Sequence, residues 1–310
     1  MAQKILLPMD GSELAENAIP YVRELAAQLK AEVYLLHVCP AEHRDYNHMH
    51  LIYLNKLADN LRGWIKESSK SGQDPIIQVE VIPGEPLKVI IDYVKQKSID
   101  IVALTSHGTS GFRAWAIGNT ADQVVRRVGI PTLLIRVKEG SNIQSQVGPI
   151  KKILLPLDTS DASQIAVPYA VQLAKTLNAS ITLFSMTKTI YAQHFDGAGA
   201  GFGVNWDSID ASTEKYVEGY LKEIEDKIKK AGIEVNHTSY VSIDAAFEIL
   251  EIEKKIQPDL IVMATRGRSQ IARWALGSVA EKVLVAGNSP ILMVKEPEGQ
   301  INPVEGQKLL

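Results

Sequence analysis

The chain carries itself twice. KILLPMDGS (Lys4 to Ser12) returns as KILLPLDTS (Lys152 to Ser160), and PYVRELAAQL (Pro20 to Leu29) returns as PYAVQLAKTL (Pro168 to Leu177), both at an offset of 148. Further on, SHGTSGFRAWAIGNTADQVV (Ser106 to Val125) returns as TRGRSQIARWALGSVAEKVL (Thr265 to Leu284) at an offset of 159. The second copy therefore holds 11 additional residues, and YAQHFDGAGAGFGVNW (Tyr191 to Trp206) is the stretch without a counterpart. A period this long marks a duplicated domain, not a solenoid. The repeat divides the 310 residues into a first domain at 1–138, a polar linker at 139–150, a second domain at 151–296 and a tail at 297–310.

Within each copy, short apolar runs alternate with segments of helical spacing. In the first, KILLPM, EVYLLHV, IIQVEVI, DIVALTS and PTLLIRV read as strands. Between them, Ile19, Val22, Leu25, Ala26 and Leu29 recur at helical intervals, as do Leu51, Leu54, Leu57, Leu61 and Ile65. PLKVIIDYVKQK opens with proline at its first turn, and NTADQVVRRV supplies a fourth helix. Apolar strands joined by crossover helices imply a parallel sheet covered on both faces. The expected fold class is α/β: two tandem doubly wound domains, each a five-stranded parallel sheet in the order 3-2-1-4-5. In that order the loops after the first and fourth strands meet where strand order reverses, which is where such sheets bind ligands.

Those loops contain the chemistry. The first strand ends at Asp10 in one copy and Asp158 in the other. The fourth leads into Gly108, nine residues and Gly118-Asn119 in the first copy, and into Gly267, nine residues and Gly277-Ser278 in the second. A helix starting at the later glycine presents unpaired N–H groups and positive dipole density, which suit a phosphate. Gly277 lets backbone approach closely, Ser278 offers a hydroxyl, Gly267 permits a tight turn, and Asp158 faces the same crevice. Taken singly, each residue is explained as a cap or a turn residue. Their recurrence in register favours a site.

At this point the chain resembles the universal stress protein family, twice over, across about 4–138 and 152–295. The ATP-binding members of that family carry G-x2-G-x9-G-[S/T] after the fourth strand and an Asp ending the first. The second copy matches except that Ala264 replaces the first glycine. The first copy departs twice, with Thr105 for that glycine and Asn119 for the final hydroxyl residue. The resemblance implies ATP binding, with Mg2+ held by the phosphates, mainly in the second domain through Asp158, Met263, Ala264, Gly267, Arg268, Gly277, Ser278 and Val279. The matching set in the first is Asp10, Val38, Thr105, Gly108, Gly118 and Asn119. It further implies an internal pseudo-dimer through the two fifth strands, a homodimer, an unidentified protein partner, and a role as stress sensor or regulator. Because part of the family binds no ATP, a nucleotide-independent scaffold is the alternative, and a slow ATP hydrolase a third reading.

Other features weigh less. No P-loop G-x4-G-K-[S/T] and no G-x-S-x-G elbow occurs, and no base is evident to activate water, so the expectation is no enzyme or at most a weak ATPase. GAGAGFG (Gly197 to Gly203) follows no strand and opens no crossover helix, so a dinucleotide fingerprint fails. His37, His43, His48 and His50 lack metal-site spacing, and no metal site is expected. Arg266, Arg268 and Arg273 are candidates for phosphate neutralisation, and Trp115 and Trp274 for packing. A net charge of −3 gives no global field for nucleic acid. The single cysteine, the lack of a signal-peptide pattern and the lack of a long apolar run point to a cytoplasmic protein without membrane contact.

Overall fold

The computed structural model describes residues 3–40, 47–68, 74–106, 117–137, 148–188, 206–265 and 276–295. Packing divides the chain into two units, Met1–Ile150 with Pro290–Glu298, and Lys151–Ser289 with Gly299–Leu310. In this division the segment from Pro290 groups with the first unit.

The first unit runs β1 (Lys4–Pro8), α1 (Glu13–Glu16), α2 (Ile19–Leu29), β2 (Glu32–Cys39), α3 (Asn47–Ser68), β3 (Ile77–Pro83), α4 (Pro86–Lys97), β4 (Ile101–Thr105), α5 (Asn119–Arg127) and β5 (Thr132–Ile135). Its strands lie in the order β3-β2-β1-β4-β5, with β1 parallel to both β2 and β4. Ile5, Leu6 and Leu7 have no exposed surface, as expected of a central strand covered on both faces. Each such side chain contributes about 1.5–3 kcal/mol relative to exposure.

The second unit repeats the plan through β6 (Lys152–Pro156), α6 (Asp161–Gln164), α7 (Ala166–Leu177), β7 (Ser180–Lys188), α8 (Trp206–Lys230), β8 (Val235–Ser242), α9 (Ala245–Ile256), β9 (Leu260–Ala264) and α10 (Ser278–Ala286). Its strands lie in the order β9-β6-β7-β8. A last strand, β10 (Ile291–Val294), pairs antiparallel with β5, Leu292 opposite Leu133, inside the first unit.

Three local features of the helices add to what the sequence suggests. The helix after Asp10 is broken into α1 and α2, because Pro20 in the first turn of α2 has no N–H to continue the ladder. Leu51, assigned to the buried face of α3, is 42% exposed, while Leu54, Leu57, Leu61 and Ile65 are buried. Helices α2, α4, α7 and α9 end on left-handed residues that are not glycine: Lys30, Ser98, Asn178 and Gln257.

Candidate functional site

Strand register sets the site. β1 pairs with β4 through Ile5 and Ile101, and with β2 through Pro8 and Leu36. Carried past the strand ends, that register puts Asp10, Val38 and Ser106 at one level on three neighbouring strands. The second unit repeats it with β6, β7 and β9, pairing Ile153 with Leu260 and Pro156 with Phe184. Asp158, Met186 and Thr265 then share the corresponding level. In each unit this is where strand order reverses, and it opens the crevice at the strand ends.

The aspartates serve the loop first. Asp10 Oδ1 accepts the Ser12 amide at 3.0 Å and the Ser12 hydroxyl at 2.6 Å. Asp158 Oδ1 accepts the Ser160 amide at 3.1 Å and its hydroxyl at 2.5 Å. Each serine hydroxyl then accepts a helix amide, from Ala15 and Ser163 respectively, both at 3.1 Å. The carboxylate expected to face a ligand thus also fixes an Asx turn and, through the serine, caps the helix.

The second wall is the start of α5 or α10. The Gly118 amide donates to the Ser106 carbonyl at 2.7 Å, and the Gly277 amide to the Thr265 carbonyl at 2.8 Å. Each bond pins the helix start against the end of the preceding strand. Ser106 is fully buried, and its hydroxyl accepts the Val137 amide at 3.2 Å. Gly118 and Gly277 are the N-caps, and among the described residues neither helix has a side-chain cap, as is also true of α2 and α7, whereas α1, α4, α6 and α9 are capped by Ser12, Glu85, Ser160 and Asp244. Gly277 has φ −62° and ψ 146°, which any residue adopts. The value of glycine there lies in its missing Cβ, which leaves the first amides approachable.

Ser278 is the first residue of α10, next to Val279. Asn119 is the first of α5, but its Oδ1 accepts Gln123 Nε2 at 2.8 Å, so the carboxamide leans along the helix and does not cap it. Thr105 and Ala264 end their strands, both buried, with Met263 buried before Ala264. Gly108, Gly267 and Arg268 lie outside the described residues, as do Arg266, Arg273, Trp115, Trp274, His43 and the Gly-rich stretch 197–203.

The profile of the universal stress protein family matches residues 1–136 and again 149–295. The chain belongs to the universal stress protein family. Over its full length it is similar to the universal stress protein Rv2623 of Mycobacterium tuberculosis, 20% identical over 301 residues that cover 94% of this chain and 96% of that one. One half is similar to the universal stress protein MJ0531 of Methanocaldococcus jannaschii, 30% identical over 162 residues, 52% of this chain and 88% of the relative. Among solved structures, a universal stress protein from Archaeoglobus fulgidus matches 97% of this chain and 98% of its own, at TM-score 0.66 and 18% identity. A universal stress protein solved in complex with cAMP matches 48% of this chain and 98% of its own, at TM-score 0.36 and 22% identity. The universal stress protein fold is thus present in tandem.

This tandem universal stress protein also brings residues to its crevices that sequence reasoning passed over. Met186 stands where Val38 stands in the first copy, and the offset of 148 would have found it. Tyr53 on α3 donates its hydroxyl to Glu16 at 2.7 Å, close enough to Asp10 to feel its charge. Tyr220 on α8 puts a buried hydroxyl beside Ser163 and Gln164, without a well-formed bond to either. Burial, with Asp158 nearby, pushes the Tyr220 phenol up to about 12. A tyrosine from α3 or α8 thus lies against the short helix after the turn, at Glu16 in one unit and beside Gln164 in the other. In the first unit His37 adds a further group: its Nδ1 lies 2.8 Å from the Met9 carbonyl, and its ring stacks on His50 at 4.0 Å. Burial lowers its pKa, so the ring stays neutral at pH 7. Among the described residues no cluster of His, Cys, Asp and Glu has metal-holding geometry, and no helix is long and apolar enough to cross a membrane.

Proposed function

We propose that this chain is an ATP-binding tandem universal stress protein, with Mg2+ held by the phosphates, whose second domain is the main site and whose role is that of a sensor or regulator. The observation that carries the reading is the start of α10: an uncapped helix end, no Cβ at Gly277, a hydroxyl at Ser278, and Asp158 across the reversal point. Phosphate fits the donor set of that helix end. Met186 and Asp158, level with one another at the strand ends, are the candidates to border a base and ribose. The first copy has Asn119 turned towards Gln123 in place of the serine, and His37 and His50 stacked near Asp10. Those features support weaker binding there.

The sequence supplies no evident base to activate water, so turnover is expected to be slow. The substitutions at Thr105, Ala264 and Asn119 favour the alternative, a nucleotide-independent scaffold. An internal pseudo-dimer through the two fifth strands and a homodimer remain expectations that follow from the family resemblance. A cytoplasmic setting fits the composition.

Nucleotide released from freshly purified, denatured protein and resolved by chromatography tests the reading. Adenine nucleotide should co-purify, Gly277→Val should abolish it, and Gly118→Val should leave most of it. Loss through Gly118→Val alone reverses the assignment of the two copies. No released nucleotide, together with no heat of binding on adding ATP, hands the protein to the scaffold reading.

A further inference from the structure

The edge strand of the second unit holds a histidine between two carboxylates. His237 lies on β8, which ends the order β9-β6-β7-β8. Its Nε2 contacts Glu218 Oε1 at 2.6 Å, and its Nδ1 contacts Glu225 Oε2. Glu218 and Glu225 are seven residues apart on α8, two turns along one face. Glu218 Oε2 also accepts the Ser239 hydroxyl at 3.2 Å, and Glu225 Oε1 is paired with Lys229.

A neutral imidazole has one N–H and can donate to one of these carboxylates only. Two ionised acceptors, one on each ring nitrogen, call for the imidazolium. Neutral, the ring would turn a lone pair towards a carboxylate, with Glu225 buried behind it. The charged groups facing the ring from α8 are Glu218, Glu225 and, through Glu225, Lys229. From β8 comes the uncharged Ser239. β7, whose Leu183 is in register with His237, has no titratable residue nearer than Lys188.

We propose that His237, Glu218 and Glu225 form a proton-operated latch that fastens α8 to the edge strand β8 and releases as pH rises. Burial alone would lower the ring's pKa, but the two carboxylates outweigh it and hold it above the ordinary value. A histidine whose folded pKa is raised contributes its full stability below the unfolded pKa, and that contribution is lost as pH rises through the folded pKa. The carboxylates bound the other side. The His237 bond holds Glu218 below the usual range, and the Lys229 bond, then His237, does the same for Glu225. Their contribution is lost as pH falls through those lowered values. The latch is therefore closed in mildly acidic to neutral solution. It depends on no nucleotide, so it stands or falls apart from the binding reading above.

The test uses the full chain. The His237 Cε1 resonance is followed by NMR through a pH titration, and amide exchange of residues 217–230 is compared at about pH 6 and about pH 9 after correction for intrinsic rates. His237 should titrate above its unperturbed value of about 6.5, and α8 should lose protection at the alkaline end. Each unit by which the folded pKa exceeds the unfolded one is about a tenfold change in the opening equilibrium. His237→Gln should flatten the pH dependence of α8 and leave α10 unchanged. Glu218→Gln, at a half-exposed position, should lower the His237 pKa and move release to lower pH. A ring that titrates at or below the unperturbed value overturns the latch. So does an α8 profile identical in wild type and His237→Gln. Should His237→Gln fail to fold, an unmoved His237 titration in Glu218→Gln overturns it equally.

Discussion

Asp10-Gly11-Ser12 and Asp158-Thr159-Ser160 make the same turn with a different residue in the middle. Both aspartates hold the serine two residues on, and both serines hold the helix that follows. The middle residue is left-handed in each: Gly11 at φ 81° and Thr159 at φ 65°. Glycine adopts that region freely, while a β-branched residue does not. The comparison teaches that the aspartate and serine impose the turn from its two ends, and that the second copy tolerates a strained residue there. Backbone strain collects at functional loops when surrounding bonds over-determine them.

The largest effect should come from moving the strain to the other copy. Gly11→Thr places a β-branched residue at φ 81°, outside the left-handed well that Thr159 occupies at 65°. Strain of about 2–3 kcal/mol, less about 0.5–1 kcal/mol for freedom removed from the unfolded chain, should leave a net cost of about 1–2 kcal/mol, read by denaturant unfolding. Asp10 and Ser12 should still hold the turn, so exchange in α1 should change little. If α1 melts instead, the turn in the first copy depends on glycine and the two loops are not equivalent.

The next effect tests the ends of the turn. Ser12→Ala and Ser160→Ala each remove a side-chain cap and an acceptor from the same arrangement, and each should cost about 1 kcal/mol. Their costs should agree, because the bond lengths agree. A markedly larger cost for Ser160→Ala would show that the serine also bears the strain of Thr159. That result would sharpen the contrast between the copies.

What sequence could and could not reveal follows the same division. The central strands were legible because doubly covered parallel strands are apolar without interruption, as KILLP is twice. The aspartates at the strand ends and the glycines at the helix starts were legible because the repeat displays them in register. Tyr53 and Tyr220 were not, since they are 167 residues apart and neither 148 nor 159 aligns them. The extra residues before α8 shift the offset and hide the match. His237 was illegible for another reason. Its partners sit 12 and 19 residues upstream, and only the return of the chain from α8 into β8 brings the three side chains together. The packing of β10 with the first unit is likewise set by strand pairing, which a repeat written along the chain does not encode.

The smallest effect is the most discriminating. Thr159→Gly relieves a left-handed threonine, worth about 1–2 kcal/mol, but adds freedom to the unfolded chain worth about 0.5–1 kcal/mol. The net should be a gain of about 0.5–1 kcal/mol in unfolding free energy, with the Asp158 to Ser160 bonds kept. A measured loss would mean that the Thr159 side chain contributes more through its contacts than its backbone costs, so the residue belongs to the loop's design. A measured gain accompanied by weaker nucleotide retention would mean something else. Threonine would then hold the Asp158 loop in a shape that glycine lets relax, and the strain would be the feature that distinguishes the second crevice from the first. A gain with unchanged retention would leave the difference between the copies to Ser278 against Asn119, Ala264 against Thr105, and the His37–His50 stack of the first unit.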